Sequence, residues 1–212
     1  MNEDEKAPRM RLALAQGVAF AFLAGATLLA PGRNQKAFAA PKTYTKYTAV
    51  DKAFACDAPE GWEKSEAGGN GLRSGVMFKS GKAVIDIDAD LQGSLMADVS
   101  RAQDAQLGGG QMAPPKPPVE KLHMAHAEVM EEKYEDYQEQ PMRDFPCTLG
   151  DARVSEFTGV SKKGMGKRHG LRATVLSGER RITVLCATRE QDYKTLVPAF
   201  SRVMRSLAPG GN

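Results

Sequence analysis

The hydrophobic positions of the chain follow two rhythms. Between residues 83 and 91 they alternate, with Ile85, Ile87 and Ala89 on one side and Asp86, Asp88 and Asp90 on the other. A period of two marks a strand with one buried face and one wet face. A partner strand is expected over 75–79, and Ser80-Gly81 suits a hairpin between the two. Toward the C-terminus the rhythm changes. Tyr193, Leu196, Val197, Phe200, Val203, Met204 and Leu207 recur at i, i+3, i+4 and i+7. That spacing predicts an amphipathic helix whose stripe covers one sheet face. Pro198 lacks an amide hydrogen, so this helix is expected to kink or to begin near it. Pro209-Gly210-Gly211 stops it.

The stretches between carry weaker versions of both patterns. Val119, Leu122, His126, Val129 and Lys133, with Met130 beside them, predict a helix over 119–133. Residues 94–106 read as a short helix ended by Gly108-Gly109-Gly110, and 114–118 as a stiff proline spacer. Residues 134–140 fit a strand or a helix end. Runs over 152–160, 171–176 and 181–188 read as strands, with 177–180 the tightest hairpin. Earlier, 41–53 reads as a polar lead-in, 54–57 as a short strand and 67–70 as a glycine-rich loop. Pro59-Glu60-Gly61-Trp62 reads as a turn pinned to the core by the only tryptophan. Hairpins with helices inserted and appended predict an α+β fold, an antiparallel β-sheet flanked by helices.

The N-terminus changes the picture of where this domain works. Arg9 and Arg11 precede an apolar run over 12–30, and Ala37-Phe38-Ala39 follows. This is the order of an export signal cut after Ala39 or Ala40. The run also approaches the roughly 20 residues of a membrane span, so an uncleaved anchor is the alternative. The expected division is therefore 1–40 as signal peptide or anchor and 41–212 as one domain. The folded part is expected outside the cytoplasm, secreted or periplasmic. Five of the 29 basic and three of the 26 acidic residues lie in the first forty, so the remainder carries 24 against 23, net +1. That balance predicts no nucleic-acid partner, and membrane contact only through an uncleaved N-terminal segment. An exported chain with Cys56, Cys147 and Cys186 allows one disulfide and one thiol left over, in any pairing. Cys186 ends the apolar run Ile182-Thr183-Val184-Leu185-Cys186 and reads as a buried thiol.

Three groups of residues carry candidate chemistry. Asp86, Asp88 and Asp90 share one strand face, where clustered oxygens suit a divalent cation and a solvated face paired with lysines is the alternative. His123 and His126 lie one helical turn apart, a spacing at which two imidazoles share a metal. Lys162-Lys163-Gly164-Met165-Gly166-Lys167-Arg168-His169-Gly170 reads as a basic, glycine-rich hairpin loop. Its Lys162, Lys163, Lys167 and Arg168 are the candidate surface for docking an acidic partner or a lipid headgroup by charge, a flexible hairpin tip kept soluble by lysine being the alternative. No phosphate-binding loop, serine-hydrolase elbow or dinucleotide fingerprint is found. No enzymatic activity and no cofactor are therefore expected, a divalent cation being the alternative. The expected function is an exported accessory or binding module for an envelope protein, or else a small-ligand or metal-binding domain.

Several pieces together resemble the PsbP-like superfamily. They are Phe54-Ala55-Cys56-Asp57-Ala58-Pro59-Glu60-Gly61-Trp62, the paired strands around Phe78 and Ile85, the hairpin across Ser177-Gly178, and the closing helix with Ser206-Leu207. They span most of residues 45–208. The resemblance implies an α/β/α sandwich with an antiparallel sheet, and a non-enzymatic accessory role. No metal-binding residue of that family maps onto this chain, and Arg9-x-Arg11 is not a twin-arginine signal.

Overall fold

The computed structural model describes residues 38–69, 71–91, 118–178 and 180–211. The apolar run over 12–30, the helix expected over 94–106 and most of the proline spacer lie outside the described residues. In chain order the strands are β1 (Tyr44–Thr48), β2 (Ala55–Pro59), β3 (Glu63–Gly68), β4 (Arg73–Ser80) and β5 (Ala83–Asp90). After them come helix α1 (Pro118–Lys133), β6 (Tyr134–Glu139), β7 (Arg143–Asp144), β8 (Asp151–Ser161), β9 (Gly166–Ser177) and β10 (Arg180–Arg189). A short 3-10 turn then leads into helix α2 (Tyr193–Arg205). The fold is α+β. β1 and β2 pair as a separate ribbon, and an eight-stranded antiparallel sheet runs β3-β4-β5-β10-β9-β8-β6, with β7 also on β8.

The sheet has two unlike faces, and the alternation in β5 shows why. Ala83, Ile85, Ile87 and Ala89 are sealed, while the aspartates between them keep partial access to solvent. The sealed side joins Val154, Ala173, Val175, Ile182, Val184 and Cys186 into the main core, onto which α2 lays Leu196, Phe200, Val203 and Met204. Each such side chain contributes about 1.5–3 kcal/mol by leaving water. The stripe of α2 is the one its sequence predicts. Pro198 sits inside a continuous helix rather than at its start. The β1–β2 ribbon lies on the same side as α2. Ser206 Oγ accepts from the Asp57 amide at 2.7 Å, and the Arg202 guanidinium stands 4.0 Å over the Tyr44 ring. At the start of α2, the His169 ring stacks on Tyr193 at 3.5 Å, with Glu156 at 2.7 Å and Glu190 at 3.2 Å from its nitrogens.

Helix α1 covers the other face, against β6, β8 and β9. Helix layers on both sides of the sheet make an α/β/α arrangement. The buried positions of α1 are Val119, Leu122, His123 and Met130; Val129 is exposed and His126 half-buried. The helix is thus turned relative to the stripe its sequence predicts. Four further expectations are corrected. Residues 44–48 form a strand rather than a lead-in, and the wholly exposed strand β3 runs into the stretch read as a glycine-rich loop. β9 begins at Gly166, so the basic loop shortens to a tip over 162–165. The disulfide allowed by the sequence is not formed: Cys56 and Cys186 are buried free thiols and Cys147 is half-buried and free.

Candidate functional site

The face beneath α1 is mixed: Met130 of the helix packs with Tyr134, Phe157 and Ala187, and beside this small apolar cluster the residues that alternate with the core positions are polar. β8 and β9 place Ser155 opposite Arg172, and Arg153 opposite Thr174. Farther along, β4, β5 and β10 set Arg73, Asp90 and Arg181 side by side. Arg172 is 1% exposed, so its guanidinium needs internal partners. It finds them in Glu139 of β6, where Nη2 reaches Oε1 at 2.6 Å and Nε donates to it at 2.9 Å. Nη1 donates to the His123 carbonyl at 2.6 Å. Tyr137 Oη donates to the other carboxylate oxygen of Glu139 at 2.9 Å, and Ser155 Oγ also donates to Glu139.

His123 lies in the middle of this network, with Nε2 at 2.9 Å from Ser155 Oγ and Nδ1 at 2.9 Å from Thr174 Oγ1. The Ser155–His123 distance is that of a nucleophile and its base. The donation of the Ser155 hydroxyl to Glu139 argues against that role. Ser155 has one hydroxyl proton and gives it to Glu139, so Nε2 donates to Ser155 and Nδ1 accepts from Thr174. An imidazole presenting its N–H to the serine cannot take the serine's proton. Burial first, and then the Arg172 charge, push His123 down to about 3, so it stays neutral.

Linkage fixes the consequence for stability. An unfolded imidazole takes up a proton near its ordinary value of 6.5, while the folded one does so only near 3. Between those values only the unfolded chain gains the proton, so stability falls as pH drops through this window. His126, pushed down to about 4 chiefly by burial, acts in the same direction. The melting temperature is expected to fall less steeply from pH 7 to pH 4 in His123→Gln than in the wild type. Equal slopes would remove His123 as a source of the acid sensitivity.

Two cavities flank α1. The smaller, about 260 Å³, has Met124, Ala127, Pro141 and Met142 on its walls, and His123, Glu139, Ser155 and Arg172 also line it. The larger, about 460 Å³, opens between α1 and the β4-β5-β10 half of the sheet. Arg73, Asp88, Asp90, His126, Lys133 and Arg181 line it, with Leu72, Leu91 and Val129. Cavities of this second size accommodate small organic ligands.

The residues singled out from sequence divide between these features. Asp88 is held by Arg73 through two bonds of 3.0 and 2.7 Å, and Asp90 by Arg181 at 2.7 Å. Asp88 and Asp90 are thus partnered by arginines rather than lysines, while the strongest cationic influence on Asp86 is Lys133. Gly75 permits the first pair, since a Cβ there would stand 3.0 Å from Asp88 Oδ1. Burial and the Asp88 charge raise the pKa of Asp86. His123 and His126 line different cavities, and both ring nitrogens of His123 are already hydrogen-bonded. Among the described residues no three His, Cys, Asp or Glu side chains group as a metal site.

The basic group also separates. Lys162 and Lys163 stand exposed at the hairpin tip, and the Lys162 ammonium donates to the Glu131 carbonyl at 3.0 Å. Lys167 is exposed and 3.5 Å from Glu190. Arg168 is not on the loop. It lies within β9, 1% exposed, with Nη2 donating to the Ala187 carbonyl at 3.0 Å, because strand alternation turns it under α1. Sequence reasoning passed over Arg172, Glu139, Ser155 and Thr174. The signal available was the polar alternation inside Leu171-Arg172-Ala173-Thr174-Val175, a run otherwise read as plain strand.

No protein-family model and no curated protein matches the chain. Two solved structures are similar in fold. One is the solution structure of cyanobacterial PsbP from Synechocystis sp. PCC 6803, 14% identical, covering 79% of this chain and 92% of its own, with a TM-score of 0.49. The other is a Pseudomonas aeruginosa protein of unknown function, 14% identical, covering 80% of this chain and 99% of its own, with a TM-score of 0.45.

Proposed function

We propose that this chain is an exported, non-catalytic binding module of the cell envelope, and that it binds through the charged face of its sheet. The observation that carries the reading is the inequality of the two faces. One is closed by α2 into a continuous apolar core, while the other holds two cavities and a network of ion pairs. The Ser155 hydroxyl on that face donates to Glu139, which supports binding over catalysis. Export rests on Arg9, Arg11, the apolar run and Ala37-Phe38-Ala39. Among the described residues no helix is long and apolar enough to cross a membrane.

The hairpin tip extends this surface. The Lys162 amide donates to the Lys133 carbonyl at 3.2 Å, which brings the tip lysines beside the C-terminal end of α1. Such a basic edge suits an acidic envelope partner. Cross-linking of the tagged full-length chain in intact host cells tests the reading. A specific envelope protein is expected with the wild type and is expected to be lost when Lys162, Lys163 and Lys167 are changed to Glu. Fractionation of the chain with the cytoplasm would overturn the export element. Unchanged partner recovery by the charge-reversed variant would remove the tip from the interface.

A further inference from the structure

The larger cavity gathers cations and carboxylates, with Asp86 of the same strand face feeling the charges of Lys133 and Arg73. Arg73, Lys133 and Arg181 line it against Asp88 and Asp90, and both carboxylates are already engaged by guanidinium groups. Arg181 spends Nε and Nη2 on Asp90, and no bond to a described residue engages its Nη1. The exposed Lys133 ammonium acts on the Asp86 carboxylate through its charge. His126 presents a buried Nδ1 with no partner. One buried group, the His126 Nδ1, is thus left unsatisfied beside two cations that keep contact with solvent. Leu72, Leu91 and Val129 add apolar surface among these groups. Leu72 is 63% exposed and Val129 39%, among the few large apolar side chains this fold leaves in water.

We propose that this cavity binds a small organic monoanion, a carboxylate with a short apolar body. Lys133 and Arg181 take the carboxylate, His126 contributes a hydrogen bond, and Leu72, Leu91 and Val129 cover the hydrocarbon part. The proposal deepens the binding-module reading and rests on it. A carboxylate engages these groups without breaking either arginine–aspartate pair. An inorganic anion would leave the apolar side chains wet, and a neutral alcohol would bring no charge to the ammonium.

Calorimetric titration of the purified full chain with hexanoate, 1-hexanol and inorganic phosphate tests the proposal. Hexanoate is expected to bind saturably, about tenfold or more tighter than either control. Lys133→Met is expected to weaken hexanoate by about tenfold or more, the scale of one lost charge-assisted hydrogen bond, with no change in melting temperature. Val129→Asn, on the exposed side of the helix, is expected to weaken hexanoate and leave phosphate unaffected. Absence of saturable hexanoate binding overturns the proposal, as does phosphate binding equal to hexanoate or both variants binding like the wild type. None of these results alters the outcome of cross-linking in cells, so failure of the ligand and failure of the module are distinguishable.

Discussion

Replacing Arg172 by methionine is expected to destabilise the protein by about 3–5 kcal/mol, read as a shift in the urea midpoint. The change removes the cation that answers Glu139, which is only 15% exposed, and it strips the His123 carbonyl of its donor. The cost is that of stranding the partners, not the worth of the pair. A buried ion pair gains little over a well-packed apolar pair of similar volume, because both charges must first leave water. The double variant Arg172→Met with Glu139→Met is therefore expected to recover much of the loss. A double variant as unstable as the single one would contradict this account of the network.

Phe200→Ala is expected to cost about 3–5 kcal/mol. Phe200 is completely buried where α2 meets the sheet, within the same cluster as Leu196, Val203 and Met204. Truncation removes the transfer energy of a ring and leaves a cavity between two layers that cannot both collapse. Thr195→Ala, on the exposed side of the same helix, is expected to stay within about 0.5 kcal/mol. A Phe200→Ala loss below about 1 kcal/mol would mean that α2 does not anchor the core. Because the core face and the charged face share strands, such variants are controls for binding experiments and not probes of the site.

What could be read from the sequence divides along the same two faces. α2 lies on an apolar surface, so its stripe had to be apolar, and its seven marked positions follow the helical period. The β4–β5 hairpin is equally legible, because β5 separates isoleucines from aspartates across the sheet. α1 lies on a mixed surface, apolar around Met130 and polar around His123, and periodicity misplaced its inner side. His123 is buried there because Ser155 and Thr174 hold its two nitrogens, partners 32 and 51 residues away. No local hydropathy signal records such pairing. β3 is exposed at all six positions and so carries no alternation. The glycines near residues 164–166 concealed the true start of β9, which put Arg168 on a loop instead of inside the fold. The aspartate stripe was visible, but its arginine partners come from strands on both sides and only the register reveals them.

Photo-crosslinking from defined positions in intact host cells tests the central claim most directly. A photoreactive residue at Val129 stands on the charged face beside the larger cavity, and one at Thr195 stands on the outer side of α2. The account predicts specific adducts from position 129 and none from position 195. Adducts from 195 with none from 129 would place the binding surface on the opposite layer and contradict it.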